Sequence, residues 1–306
     1  MEKEDSFNDL LDQKEFDVEH ALSLYASSYC TLPAEFIYNK ELLAQYEHVI
    51  KECHIYLIGY LPNVAIENII ELDSELEITL KVANEIKVIK VPIPEDLKLV
   101  QLDGTSYLER SDGEKFTISQ ETLLQFVSDS MFFEVKYIGQ AYGKDGSRNA
   151  LDRLKKHETL QKISLKGVPE NYKLSLLLLS VESNNQLVTM LNPRAQKQDD
   201  GSRIKAGLNK LFDTSEPERI SLFEASLIRY FYPDFNIEFK DSFPSTNLKL
   251  LHDCYEKDFS AVFSEICIDE LPFQLFSESA PATNHHLAKH NLHDDEARKA
   301  FFFSSS

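Results

Sequence analysis

The chain has 306 residues, room for two domains or for one large domain with extensions. Its 42% apolar content allows a sizeable core and excludes global disorder. A net charge of −19 argues against a general nucleic-acid binder, whose surface must offset phosphate charge.

The opening MEKEDSFNDLLDQKEFD is acidic where a secretory leader would be basic and then apolar, so no leader is expected. No apolar run approaches the ~18 residues that span a bilayer, so no membrane partner is expected. Cys30, Cys53, Cys254 and Cys267 are scattered with no CxxC pair, which predicts reduced thiols in a cytoplasmic protein.

Helical apolar spacing covers Phe16 to Tyr29 and Lys40 to Cys53. His54 to Tyr60, Glu75 to Val82 and Glu85 to Val91 are rich in Ile, Val and Leu and read as strands. Leu99 to Ile118, broken at Asp103-Gly104 and Asp112-Gly113, predicts further strands joined by turns. Ser119 begins a capping box ahead of the run LLQFV. Met131 to Gln140 is the next strand, Ala141 to Ser147 a glycine-containing loop, and Ser147 the N-cap of a helix reaching about Ile163. Lys173 to Glu182 is almost continuously apolar and predicts a central strand. A polar stretch, Asn184 to Asp200, follows it. Pro217 then opens a helix through Tyr230, ended by Tyr232-Pro233. Ile237 to Phe239 reads as a short edge strand, and Ala261 to Ile268 and Pro272 to Phe276 as strands ahead of a His-rich, charged tail. His286 and His290 have i, i+4 spacing, so a helical metal site there competes with a solvated or partner-facing tail.

These elements give an α/β (α+β) chain: an α+β region over 1–125, a small mixed sheet flanked by helices over 126–245, and an extension over 246–306.

Charge is uneven along this order. Glu134 to Lys166 holds eight bases and four acids, and Arg194 to Lys210 five bases and two acids. Met1 to Tyr60 holds twelve acids and four bases. A focused anion site and a pair of solvated helix faces both fit this pattern.

Four features of the middle region stand in a fixed order: Tyr137-Ile138-Gly139 at a strand end; Arg153 and His157, i and i+4 on the next helix; Glu224 within SLFEASLIRYF; and Pro233-Asp234-Phe235-Asn236 after that helix. In this order the segment from Met131 to Lys240 resembles the GIY-YIG nuclease family, and FEASLIRYFYPDFN is close to that family's usual ending. The resemblance implies a metal-dependent endonuclease hydrolysing nucleic-acid phosphodiesters, DNA rather than RNA. It assigns water activation to Tyr137, the scissile phosphate to Arg153, proton transfer or phosphate binding to His157, and one Mg²⁺ or Mn²⁺ to Glu224. Lys144, Arg148, Lys156 and Asn236 would complete the substrate site, Asn236 by orienting or structuring it.

The chemistry agrees with this set. An arginine fork matches phosphate oxygens in a planar geometry. A lone carboxylate can hold a hard divalent ion whose other ligands are water and substrate. Cations near a tyrosine lower its pKa and suit it to proton transfer. The chain departs from the family in two respects: the loop from Ala141 to Ser147 makes the gap from Tyr137 to Arg153 longer than in compact members, and the first motif is missing. No Gly-Ile-Tyr-like strand stands shortly before Tyr137, and the nearest upstream tyrosine is Tyr107. Large accessory regions around a small nuclease core suit a controlled effector in restriction or phage defence. The competing expectation is a nuclease-fold protein without turnover, serving as a regulatory or protein-interaction module. The acidic terminal regions would then carry a protein partner or homo-oligomer contact.

Overall fold

The computed structural model describes residues 7–102, 105–142, 150–155, 158–182, 186–212, 214–244, 248–295 and 297–298. After a short helix α1 (Phe7–Asp12), the stretch predicted as a helix from Phe16 is instead strand β1 (Val18–Pro33). Its first seven residues are all buried, so an apolar run replaces alternation, and periodicity alone cannot tell such a strand from a buried helix. Lys40 to Cys53 forms two short helices, α2 (Lys40–Gln45) and α3 (Glu47–Ile50), rather than one. The Asn39 side chain caps α2 by accepting from the Leu42 N–H at 3.1 Å.

The strand expected at His54 is β2 (Ile55–Pro62), buried throughout. A long excursion follows. Strands β3 (Val64–Leu72), β4 (Glu75–Val82) and β5 (Glu85–Pro92) make one three-stranded antiparallel sheet, of which β3 was not legible. Strands β6 (Leu97–Leu102), β7 (Thr105–Arg110) and β8 (Lys115–Thr117) make a second. Helix α4 (Gln120–Leu124) starts after Ser119, which makes no side-chain cap bond, and tightens into a 3-10 segment over Gln125–Ser130.

Strand β9 (Phe132–Gln140) returns the chain beside β2. The helix expected from Ser147 is present as α5 (Ala150–Leu154) and α6 (Glu158–Lys166). Strand β10 (Tyr172–Val181) is central, as its apolar run predicts. The region read as a polar stretch contains strand β11 (Gln186–Leu191), and helix α7 (Ser202–Phe212) follows it. Helix α8 (Glu216–Phe231) opens with a capping box, Ser215 with Glu218, and Pro217 in its first turn. Tyr232 ends it in the left-handed conformation, φ 49°. Ile237 to Phe239 is not a strand, and helix α9 (Lys249–Glu256) was not anticipated. Strands β12 (Ala261–Cys267), β13 (Gln274–Phe276) and β14 (His285–Asn291) close the fold.

One eight-stranded mixed sheet runs β13-β9-β2-β10-β1-β12-β14, with β11 also on β1. Its strands come from all three segments expected as separate regions, so sheet formation crosses the boundaries near 125 and 245. β2 lends Ile55 and Leu57 to one face, packed with Ile220, Phe223 and Leu227 of α8. It lends Tyr56 and Ile58 to the other, packed with Leu43, Leu151, Leu154 and Ile163 of the smaller helices. Alternation on one strand therefore serves two cores.

The His-rich tail is strand β14, with His286 buried and His290 half-buried on it rather than paired on a helix. His286 Nε2 lies 3.0 Å from the Leu275 carbonyl, so that nitrogen carries the proton and Nδ1 accepts from the Tyr230 hydroxyl at 3.1 Å. His290 Nε2 donates to the Ser226 carbonyl at 3.1 Å. Both histidines therefore hold helix α8. Among the described residues no helix is long and apolar enough to cross a membrane.

Candidate active site

The site forms around the C-terminal end of β9. Opposite Ile58 and Gly59 the register of β9 shifts, and Lys136 is the extra residue. A bulge of this kind re-aims the side chains beside it, here Tyr137. Beyond the bulge Gly139 faces Tyr56 directly across the ladder. A Cβ on Gly139 would lie 2.6 Å from the Tyr56 hydroxyl and 2.8 Å from the Tyr137 ring. The phenol of Tyr56 therefore lies over Gly139, and only glycine leaves it room.

Tyr56 is a candidate residue of the site that the sequence reading missed. Its ring centroid lies 6.1 Å from that of Tyr137. The Arg153 guanidinium lies beside the Tyr56 hydroxyl, and the Tyr56 hydroxyl beside that of Tyr137. The signal was the tripeptide His54-Ile55-Tyr56, whose Ile-Tyr opens strand β2. It was overlooked because the excursion through β3–β8 carries it far upstream. Tyr107, the upstream guess, lies on β7, where Lys115 donates to its hydroxyl at 3.2 Å.

Glu224 enters from helix α8. It is only 8% exposed, and Gln140 lies beside its carboxylate. Burial pushes its pKa up to about 8, the exposed Glu238 adds to the rise, and Gln140 and Arg153 oppose it. The same environment acts on the phenols. Burial, then the Glu224 carboxylate, raises the pKa of Tyr137, and the Tyr56 hydroxyl and Arg153 only partly offset this. Tyr56 is raised as well, chiefly by burial. The expectation that neighbouring cations leave Tyr137 with a lowered pKa is thus corrected: desolvation is the larger effect.

Asn236 is also re-read. Its amide donates to the Ile138 carbonyl at 2.8 Å and accepts from the Ile138 N–H at 2.9 Å. Both halves of the side chain bond the open edge of β9, so Asn236 structures the strand end. Phe235 N–H bonds the Lys136 carbonyl at 3.1 Å and continues the same edge.

Above these groups lies an open polar cleft of about 360 Å³, lined by Gln140, Ala141, Tyr142, Arg153, Pro217 and Ser221. Pro217, Ser221 and Glu224 stand at i, i+4 and i+7, on one face of α8, so Glu224 lies beneath the cleft. His54 Nδ1 bonds the Ala141 carbonyl at 2.9 Å, and its ring meets Tyr142 edge-on, which fixes the rim. A larger apolar groove of about 860 Å³, between Ile37, Tyr38, Leu165 and Tyr172, takes in none of the candidate residues.

Of the candidate residues, Tyr137, Arg153 and Glu224 come together. His157, Lys144, Arg148 and Lys156 lie outside the described residues. The second basic stretch serves the fold: Arg194 pairs with Asp12, Lys197 with Glu15, Arg203 with Glu19 and Asp258, and Lys210 with Asp253. Lys136 likewise pairs with Glu134 and Asp234.

Among the described residues no three His, Cys, Asp or Glu side chains are grouped to hold a metal ion. The candidate donor at Glu224 is a single buried carboxylate, beneath the cleft and not on its wall. Compared with family models, with curated proteins and with solved structures, the chain matches none.

Proposed function

We propose that this chain is a GIY-YIG-type endonuclease that hydrolyses nucleic-acid phosphodiesters, DNA in preference to RNA, with one Mg²⁺ or Mn²⁺ held at Glu224. The observation that carries the reading is the juxtaposition of Tyr56 with Tyr137, Arg153 and Glu224. These four residues come from β2, β9, α5 and α8, and the tyrosine that the family resemblance demanded stands on the neighbouring strand. A structural tyrosine pair has no need of an arginine at one end and a buried carboxylate at the other.

In this reading Arg153 binds the non-bridging phosphate oxygens. A divalent ion held by Glu224 would supply charge neutralisation at the scissile phosphate. Tyr137 takes a proton from the attacking water as its own leaves to solvent through the open cleft, and the Tyr56 hydroxyl, with Arg153 behind it, orients the Tyr137 phenol. Because burial holds both phenols neutral, Tyr137 acts as a proton carrier and not as a standing phenolate. His157 remains the candidate for returning a proton to the leaving oxygen. The role of Glu224 is consistent with its burial: a cation takes the place of the proton that desolvation would leave there. A restriction or phage-defence setting fits a small core with large accessory regions.

A second reading, a nuclease-fold protein without turnover that serves as an interaction module, draws on the 8% exposure of Glu224 and the −19 charge. One experiment separates the two. Purified protein is offered single- and double-stranded DNA and RNA with Mg²⁺ or Mn²⁺, beside E224A. The nuclease reading expects cleavage that E224A abolishes. No cleavage of any substrate, or cleavage that E224A leaves intact, supports the interaction module.

A further inference from the structure

Helix α7 carries its amphipathic pattern inside out. The Arg203 guanidinium donates to Glu19 at 2.8 Å, to Asp258 at 2.6 Å and to the Val18 carbonyl at 2.7 Å, and the buried Lys210 pairs with Asp253. Between them Gly207 presses on β1, where a Cβ would lie 2.7 Å from His20 Nε2. Arg203, Gly207 and Lys210, at i, i+4 and i+7, thus face the sheet. The face turned away carries Ile204, Leu208 and Phe212, at i, i+4 and i+8, which are 44%, 49% and 83% exposed. The exposed Leu191 stands on the same side: Thr189, two residues before it on β11, bonds the His20 ring that meets Gly207. A helix surface in water normally carries the charges, and here two of the three are locked into the fold.

We infer that this face is where two copies of the chain meet: α7 packs antiparallel on α7 of a second copy, across a two-fold axis through Leu208. The inference is independent of the nuclease reading. Symmetry favours a second copy over another partner. About Leu208 the stripe is evenly spaced, so Leu208 meets the partner's Leu208 and Ile204 meets the partner's Phe212, as an isologous contact requires. A single i±4n ridge is also the surface that interdigitates in the commonest helix pairing, at a crossing angle of about −50°. Charge allows the contact. Among the described residues α7 is the one α-helix without an acid, and its only exposed charge is Lys205, so it escapes the acid-on-acid repulsion that a −19 chain meets elsewhere. Area sets the strength. Leu191, Ile204, Leu208 and Phe212 leave on the order of 500 Å² of apolar surface, toward the upper limit of one patch on a soluble monomer. A standard stable interface covers about 800 Å² per partner, so this centre with a polar rim predicts a dimer with a dissociation constant on the order of 10 µM.

The test is sedimentation equilibrium of the full chain from about 1 to 200 µM, for wild type, L208D and F212D, with thermal melts as a check on folding. Wild type is expected to pass from monomer to dimer. Each substitution puts a carboxylate into the seam from both copies and is expected to weaken the dimer about tenfold or more, with a monomer that melts near wild type. The axis is tested by oxidation in a C267S background, which removes the exposed native thiol. L208C is expected to form a disulfide-linked dimer. I204C is not, because residues four positions from the axis stand about 12 Å apart along the helices, beyond the roughly 7 Å that a disulfide spans. A wild type that stays monomeric at the highest concentration overturns the inference, and so does a dimer that L208D and F212D both leave intact. A dimer that L208C does not cross-link overturns the two-fold axis through Leu208. If L208D does not fold, F212D decides, since Phe212 is the most exposed of the three.

Discussion

At the scale of single residues, the site is built on groups that burial holds against their usual charge. Glu224 is the sharpest case. Its folded pKa, about 8, stands above the ordinary carboxylate value of 4.5. Folding therefore favours the protonated acid, and the contribution is complete below pH 4.5 and lost as pH rises through 8. E224Q keeps the shape without the titration. In metal-free protein it should raise the melting temperature at pH 7.5 to 8.5, by roughly 2–4 °C per kcal/mol gained, with no gain below pH 4.5. Mn²⁺ should raise the melting temperature of wild type and not of E224Q. A melting temperature of E224Q equal to wild type at pH 8 would show that Glu224 carries no desolvation penalty. The tyrosine pair makes a separate prediction. Y56F keeps the ring over Gly139 and removes the hydroxyl between Arg153 and Tyr137. Cleavage should fall about 10²–10³-fold with the fold intact, measured by kcat and by circular dichroism. Gly139 answers to sterics alone. G139A places a methyl against the Tyr56 phenol and should cost about 1–3 kcal/mol in denaturant unfolding together with most of the activity.

At the scale of elements, helix α8 is the piece on which the site depends, and β14 is what holds it. His286 and His290 both have pKa values lowered to about 4, chiefly by burial. Each is neutral in the fold and takes a proton when unfolded, so stability is present above pH 6.5 and falls as pH drops from 6.5 toward 4. The loss is on the order of 3 kcal/mol for each histidine across that window. H290N, which can still donate to the Ser226 carbonyl but does not titrate, should show a shallower loss of melting temperature between pH 6.5 and 4. An unchanged slope would place the acid sensitivity elsewhere.

Elements also show what the sequence could and could not disclose. Helix α8 was legible from Pro217 to its Tyr232-Pro233 stop, because capping and termination are local chemistry. Glu224 and Arg153 were legible with it, as were the strands carrying Tyr137 and the apolar run of β10. Strand β1 was not, because burial on both faces erases the alternation that marks a strand. Tyr56 lay in a correctly read strand and still escaped notice. Partnership between β2 and β9 is a non-local fact, and nothing in His54-Ile55-Tyr56 states which strand it will pair with. The desolvation that governs Glu224 and Tyr137 likewise depends on neighbours from distant parts of the chain. The histidines of β14 misled for the same reason: i, i+4 spacing describes a helix only where the backbone is helical, and pairing with β12 makes it extended.

For the whole molecule, the excursion from β3 to β8 joins two strands that would otherwise form a hairpin. It leaves β2 after Pro62 and returns at Met131, at the end of the β2–β9 ladder away from Gln140 and the cleft. Part of it belongs to the shared core, since Ile69, Leu76, Ile78 and Leu80 pack with Leu123, Val127 and Met131. The second sheet, β6–β8, contributes only the partly buried Leu99 and Leu108 to that core. Replacing 97–117 with a short flexible linker should therefore leave the Mn²⁺ affinity within about twofold of wild type while lowering the melting temperature modestly. A loss of metal binding in that variant would show that the second sheet supports the site.

The pairing of β2 with β9 also has a consequence in time. Tyr56 and Tyr137 are separated by on the order of 80 residues, and closing a loop of that length costs roughly 4 kcal/mol of chain entropy before any contact compensates it. Contacts so distant form slowly, and the excursion must be gathered in first. Helix α8 is made later still on the ribosome, and its histidine anchors on β14 come last. A chain still being synthesised would hold the phenols without their carboxylate, so the proposed site would be complete only after α8 has joined the sheet.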